Sequence, residues 1–177
     1  MDGATSTYAE AAATLSSKDT VARDDVRRWI DSSDLLTWSA VYALFEDPSP
    51  RIAPECSPEE QVEFMRRYLL RCIEENPAPG TLLHGGYEAA WELASCLKTW
   101  RKRGGRIANV VRGIALDLEK IYRRAEPATQ NRVLCGVMEH AFEDPALRPY
   151  FSSWDRDEEL RDAYKLALEW GTAHEES

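Results

Sequence analysis

The sequence predicts an all-α fold, and three observations carry that expectation. Apolar residues recur at spacings of three and four along most of the chain. No stretch alternates apolar and polar residues for long enough to make a strand, so no sheet is expected. Helix start and stop residues punctuate the periodic segments at regular intervals. Together they predict about six main helices in antiparallel pairs, packed as a compact bundle or a short helical-repeat array.

Residues 1–19 are small and polar, and although alanine favours helix over Tyr8–Leu15, no wide apolar face forms. A flexible N-terminal arm is expected there. Residues 20–171 read as one all-α domain, since no interior linker divides them, and 172–177 read as a frayed tail beyond a helix stop at Gly171. A short helix is expected from Asp24 to Ile30. Ser32 or Ser33 then caps a second, running to Phe45. Leu35, Leu36, Trp38, Val41, Tyr42, Leu44 and Phe45 cover nearly its whole circumference, the mark of a central core helix or of an interface. Ser57-Pro58-Glu59-Glu60 is a capping box with proline at the first helical position. The helix it opens carries Val62, Met65, Leu69, Cys72 and Ile73 on one stripe.

The segment from Asn76 to Gly86 holds two prolines and three glycines and reads as a loop, with Leu82, Leu83 and His84 inside it. The next helix runs from Tyr87 to Arg103, with Tyr87, Ala90, Trp91, Ala94, Leu97 and Trp100 as its inward face. Gly104-Gly105 form its exit. Ile107, Val110, Val111, Ile114, Leu118 and Ile121 mark the helix that follows. Pro127 opens another, lined by Val133, Leu134, Val137, Met138, Ala141 and Phe142. Leu147 to Trp154 is an aromatic turn. A last helix begins at Asp155 or Asp157 and faces inward with Leu160, Tyr164 and Leu168.

One string occurs twice: Phe45-Glu46-Asp47-Pro48 returns as Phe142-Glu143-Asp144-Pro145, with Arg51 and Arg148 at the same distance behind. Arg27-Arg28 aligns with Arg123-Arg124 and Tyr68 with Tyr164. This suggests an internal duplication of 25–75 onto 122–171. An acid-Asp-Pro string is also an ordinary helix exit, because proline cannot continue the ladder.

Composition narrows the function classes. The net charge of −9 argues against a general nucleic-acid binder, whose affinity comes from neutralising phosphates. It suits a basic protein partner reached by electrostatic steering. The longest uncharged apolar stretch, 35–45, is too short to span a bilayer, so no membrane insertion is expected. Cys56, Cys72, Cys96 and Cys135 are scattered and read as free thiols of a cytoplasmic protein. His84, His140 and His174 lack metal-ligand spacing, and no nucleophile or phosphate-loop motif is present, so neither catalytic residues, nor a metal, nor a cofactor is expected. His140 with Glu143, and Glu139 beside them, are the residues an enzymatic or ligand-binding pocket between helices would use, with His84 a further candidate.

The most marked charge feature is basic. From Lys98 to Arg112 there are six cations and no acid, whereas residues 141–177 hold ten acids and four bases. Trp100, Arg101, Lys102, Arg103 and Arg106 are therefore the candidate partner-binding residues, with Trp100 as aromatic anchor. The competing account pairs these cations with the acidic C-terminal third. That acidic surface is itself a rival contact for a basic partner. In length, acidity and helical pattern the chain is similar in type to small bacterial proteins that neutralise or tether a partner, such as toxin immunity proteins, a likeness that transfers no residue. The leading expectation is a noncatalytic protein-binding module, immunity-like or adaptor, that occludes a partner. The alternatives are the pocket around His140 and a homo-oligomeric scaffold joined through the Leu35–Phe45 helix.

Overall fold

The computed structural model describes residues 2–17, 19–49 and 51–175. The fold is all-α. The helices are α1 (Asp2–Ser17), α2 (Arg23–Asp31), α3 (Leu35–Glu46), α4 (Pro58–Glu75), α5 (Gly86–Trp100), α6 (Gly105–Arg124), α7 (Pro127–Asn131), α8 (Glu139–Phe142), α9 (Ser152–Arg156) and α10 (Arg161–Ala173). A π-helical segment, Arg132–Met138, joins α7 to α8, and 3-10 turns precede α6 and α9. Among the described residues no helix is long and apolar enough to cross a membrane. The exception to an all-helical chain is one parallel pair, β1 (Val21–Ala22) with β2 (Ile52–Ala53). Two residues are too few to show alternation, so this pair leaves no trace in the sequence pattern.

The chain divides into two compact units, Met1–Tyr68 with Pro77–His84, and Leu69–Asn76 with Gly85–Ser177. No linker marks the division, because α4 runs through it without a break.

In the first unit, α3 is the central element. Thr37, Trp38, Ser39, Ala40, Val41, Tyr42 and Leu44 are all buried, which is what an apolar circumference requires. Leu36, 45% exposed, and the half-buried Leu35 and Phe45 are the large apolar groups that α3 leaves outside this core. Its cap is Asp34 rather than Ser32 or Ser33: the carboxylate accepts from the Thr37 amide and hydroxyl, both at 2.7 Å. Ser33 is occupied in a left-handed turn at φ 56°. The capping box of α4 forms as read, with the Ser57 amide donating to Glu60 at 2.8 Å and the Glu60 amide to Ser57 Oγ at 3.2 Å.

The expected N-terminal arm is instead helix α1, docked by polar contacts that apolar patterning does not report. Among the α1 residues whose burial is described Ala11 is the one buried, while Arg28 donates to Glu10 at 2.8 and 2.6 Å. Arg51, 7% exposed, closes the C-terminal end of α1 by donating to the carbonyls of Thr14 (2.6 Å), Leu15 (3.0 Å) and Asp19 (3.1 Å). The 76–86 loop is likewise fastened. Leu83 is buried, and the Tyr68 hydroxyl receives the His84 amide at 3.1 Å and pairs with its Nδ1 at 3.0 Å.

In the second unit, Gly136 and Gly171 permit close helix contact. A Cβ on Gly136 would stand 2.5 Å from the Ala90 Cβ, and one on Gly171 2.6 Å from the Phe142 backbone carbon. Gly171 therefore lies inside α10 as a packing residue and is not the stop, and the helix continues to Ala173. Of the expected tail, Thr172 and Ala173 belong to α10 and His174 stacks on Trp170 at 4.0 Å, while 176–177 lie outside the described residues.

The two copies of the repeated string share a local device. Asp47 Oδ1 accepts from the Ser49 amide at 2.9 Å and Asp144 Oδ1 from the Ala146 amide at 3.0 Å, an Asx turn at each helix exit. The following arginine caps carbonyls both times: Arg51 those of α1, Arg148 that of Phe142 at 2.8 and 3.0 Å.

Candidate functional site

The basic segment is split by the fold into two parts with different fates. Lys98 and Arg101 are consumed within the second unit. Lys98 Nζ donates to Glu143 Oε2 at 2.6 Å, and Arg101 Nε pairs with Asp144. The acids of the second repeated string thus clamp the end of α5. Burial alone would raise the Glu143 carboxyl, but the bonds from Lys98 and His140 outweigh it and hold that carboxyl below its ordinary value.

Lys102, Arg103 and Arg106 are exposed, as is Arg112, and none has an ion pair or hydrogen bond among the described residues. Lys102, Arg103 and Arg106 flank the Gly104-Gly105 corner in the chain, where φ of 67° and 55° requires glycine. Trp100 does not join them. At 3% exposure it is a core residue, so its indole offers a partner no surface. The buried face of α5 is Ala89, Ala90, Leu93, Ala94, Cys96, Leu97 and Trp100. This face leaves out Tyr87 and Trp91, which the sequence reading had turned inward. Trp91 is 53% exposed and Tyr87 38%, with ring centroids 6.1 Å apart. The exposed tryptophan of α5 is therefore Trp91 rather than Trp100. The signal that identifies it is the run of small residues at Ala89, Ala90 and Ala94, which marks the contact side of the helix and sets Trp91 at its rim.

Trp91 also lines a shallow groove of about 420 Å³ with Ala94, Ser95, Lys98, His140 and Glu143. The sequence candidates His140 and Glu143 meet here, with Nδ1 and Oε1 2.9 Å apart. The carboxylate accepts, so Nδ1 carries the proton. Trp170 abuts the other side of the imidazole edge-on at 4.8 Å. Glu139 does not enter the groove lining; its charge acts on Cys135. His84 belongs to the Tyr68 cluster of the first unit. Burial, followed by the Glu139 carboxylate, pushes the Cys135 thiol up to about 11, and burial raises Cys56, the opposite of what activates a nucleophile. Among the described residues no group of three or more His, Cys, Asp or Glu side chains is placed to hold a metal ion. No protein-family model, no curated protein and no solved structure matches this chain.

Proposed function

We propose that this protein is a noncatalytic binding module that occludes a partner protein, and that Lys102, Arg103 and Arg106 contact an acidic patch on that partner. The observation that supports this reading is the contrast within one short segment: Lys98 and Arg101 are neutralised by acids, while the cations after them stay exposed and have no ion-pair partner among the described residues. A net charge of −9 opposes an acidic partner at long range, but salt screens that repulsion beyond about 8 Å. At contact the local corner dominates, and repulsion elsewhere disfavours other docking orientations. An immunity-like inhibitor is the concrete form of this role.

The groove at His140 supports a second reading, a ligand site between helices. Its ionic groups already satisfy one another through Lys98, Glu143 and His140, which favours holding an uncharged group over proton transfer.

The test is a quantitative pull-down from lysate of the source organism with wild-type bait and a K102E/R103E/R106E bait. The expected result is one protein retained in stoichiometric amount by the wild type, released by added salt and missing from the reversed bait. Equal retention on both baits would refute the role of the corner.

A further inference from the structure

We infer that the Trp91 groove and the Gly104-Gly105 corner form one continuous site, and that it takes a protein segment with an apolar anchor at one end and carboxylates at the other. This rests on the reading of the corner given above. Along α5, Tyr87, Trp91, Ser95 and Lys98 follow at steps of four, four and three, and Lys102 comes four later. These are the spacings of one helix face. The backbone stays right-handed helical through Trp100 and Arg101 into the 3-10 turn, so the stripe leads to the corner without a break. At a rise of about 1.5 Å per residue, Trp91 and Lys102 lie about 16 Å apart. An extended segment covers that distance in about five residues.

The charge order along the stripe sets the polarity of the occupant. The first half of α5 carries Glu88 and Glu92, while the turn beyond its end carries Lys102 and Arg103, which no acid among the described residues neutralises. Carboxylates of a bound segment are attracted at the corner and repelled beside Trp91. The opposite holds for an apolar side chain. Trp91 supplies apolar surface in the groove, and its ionic groups are matched internally, so an uncharged anchor enters without stranding a charge. A nucleic acid fits less well, because its phosphates would run along the whole stripe and past both glutamates.

The experiment is a display selection of random peptides of about 16 residues on the wild-type protein, counter-selected on the bare support. Selected peptides are then measured by fluorescence anisotropy against wild type, Trp91→Ser and K102E/R103E, with an oligothymidine of equal charge as a control. Trp91 is a surface residue, and circular dichroism verifies that its variant keeps the fold. The expected result is enrichment of peptides with an aromatic or aliphatic anchor about five residues from an acidic block. Each variant should weaken their binding by about tenfold or more. Acidic peptides that bind without an anchor and ignore Trp91→Ser would overturn the continuous site while leaving the corner reading intact. Failure to enrich any acidic peptide would overturn both. An oligothymidine that binds as tightly as the peptides would replace the protein segment with a nucleic acid.

Discussion

Gly171→Ala separates a packing role for this glycine from an open position in the helix interior, because the two predict opposite signs. In an open helix interior, alanine in place of glycine stabilises by about 1 kcal/mol. At position 171 the new Cβ would meet Phe142 C and Cβ at 2.6 Å and its carbonyl oxygen at 2.8 Å. Phe142 has no room to yield: it is fully buried, with Phe151 and Tyr164 each packed edge-on at 5.3 Å. The clash falls partly on backbone, so α10 must shift as a body. Overpacking of this kind costs about 1–3 kcal/mol, and the rigid neighbour places it near the upper end. After subtracting the helix gain, the net loss is about 2 kcal/mol. With a urea dependence of about 2 kcal/mol per molar, the midpoint should fall by about 1 M. Urea titration followed by far-ultraviolet circular dichroism reads this directly. Thr172→Ala, on the adjoining exposed position, serves as control and should change stability by less than about 1 kcal/mol. A midpoint for Gly171→Ala that is unchanged or higher would show that α10 and α8 do not approach this closely.

Two further outcomes test the clamps. Because the native Glu143 carboxyl lies below its ordinary value of 4.5, its contribution to stability is present in full above that value and is lost as pH falls through the native one. The melting temperature of Glu143→Gln should therefore lie below wild type at neutral pH and converge on it in acid; a constant gap across the range would refute the linkage. Arg51→Met keeps the aliphatic bulk but removes the donors that close α1, at a cost of about 2–3 kcal/mol. Hydrogen exchange should quicken first over 7–17, and unchanged protection there would show that α1 is held by something else.

The parts of this fold that were legible in the sequence are those held by apolar periodicity and proline-led caps. The α3 circumference and the Ser57 capping box left clear patterns, and both formed as read. The parts that were not legible are held by long-range polar contacts. Helix α1 has almost no apolar face, and the guanidinium that closes it comes from Arg51, far along the chain. The site divides along the same line. Charge counting located Lys102, Arg103 and Arg106, because a run of cations without acids is a local property. It did not separate them from Lys98 and Arg101, whose partners Glu143 and Asp144 lie in another element. The choice between Trp100 and Trp91 turned on the rotation of one helix. Nine residues separate them, two and a half turns, so turning one indole inward turns the other outward. The alanines at 89, 90 and 94 decide which, since they let the π segment approach α5 closely enough for Gly136 to touch Ala90. Substituting a small residue on that contact face would therefore disturb the presentation of Trp91 without touching it, so positions that set the site's geometry extend beyond the residues that line it.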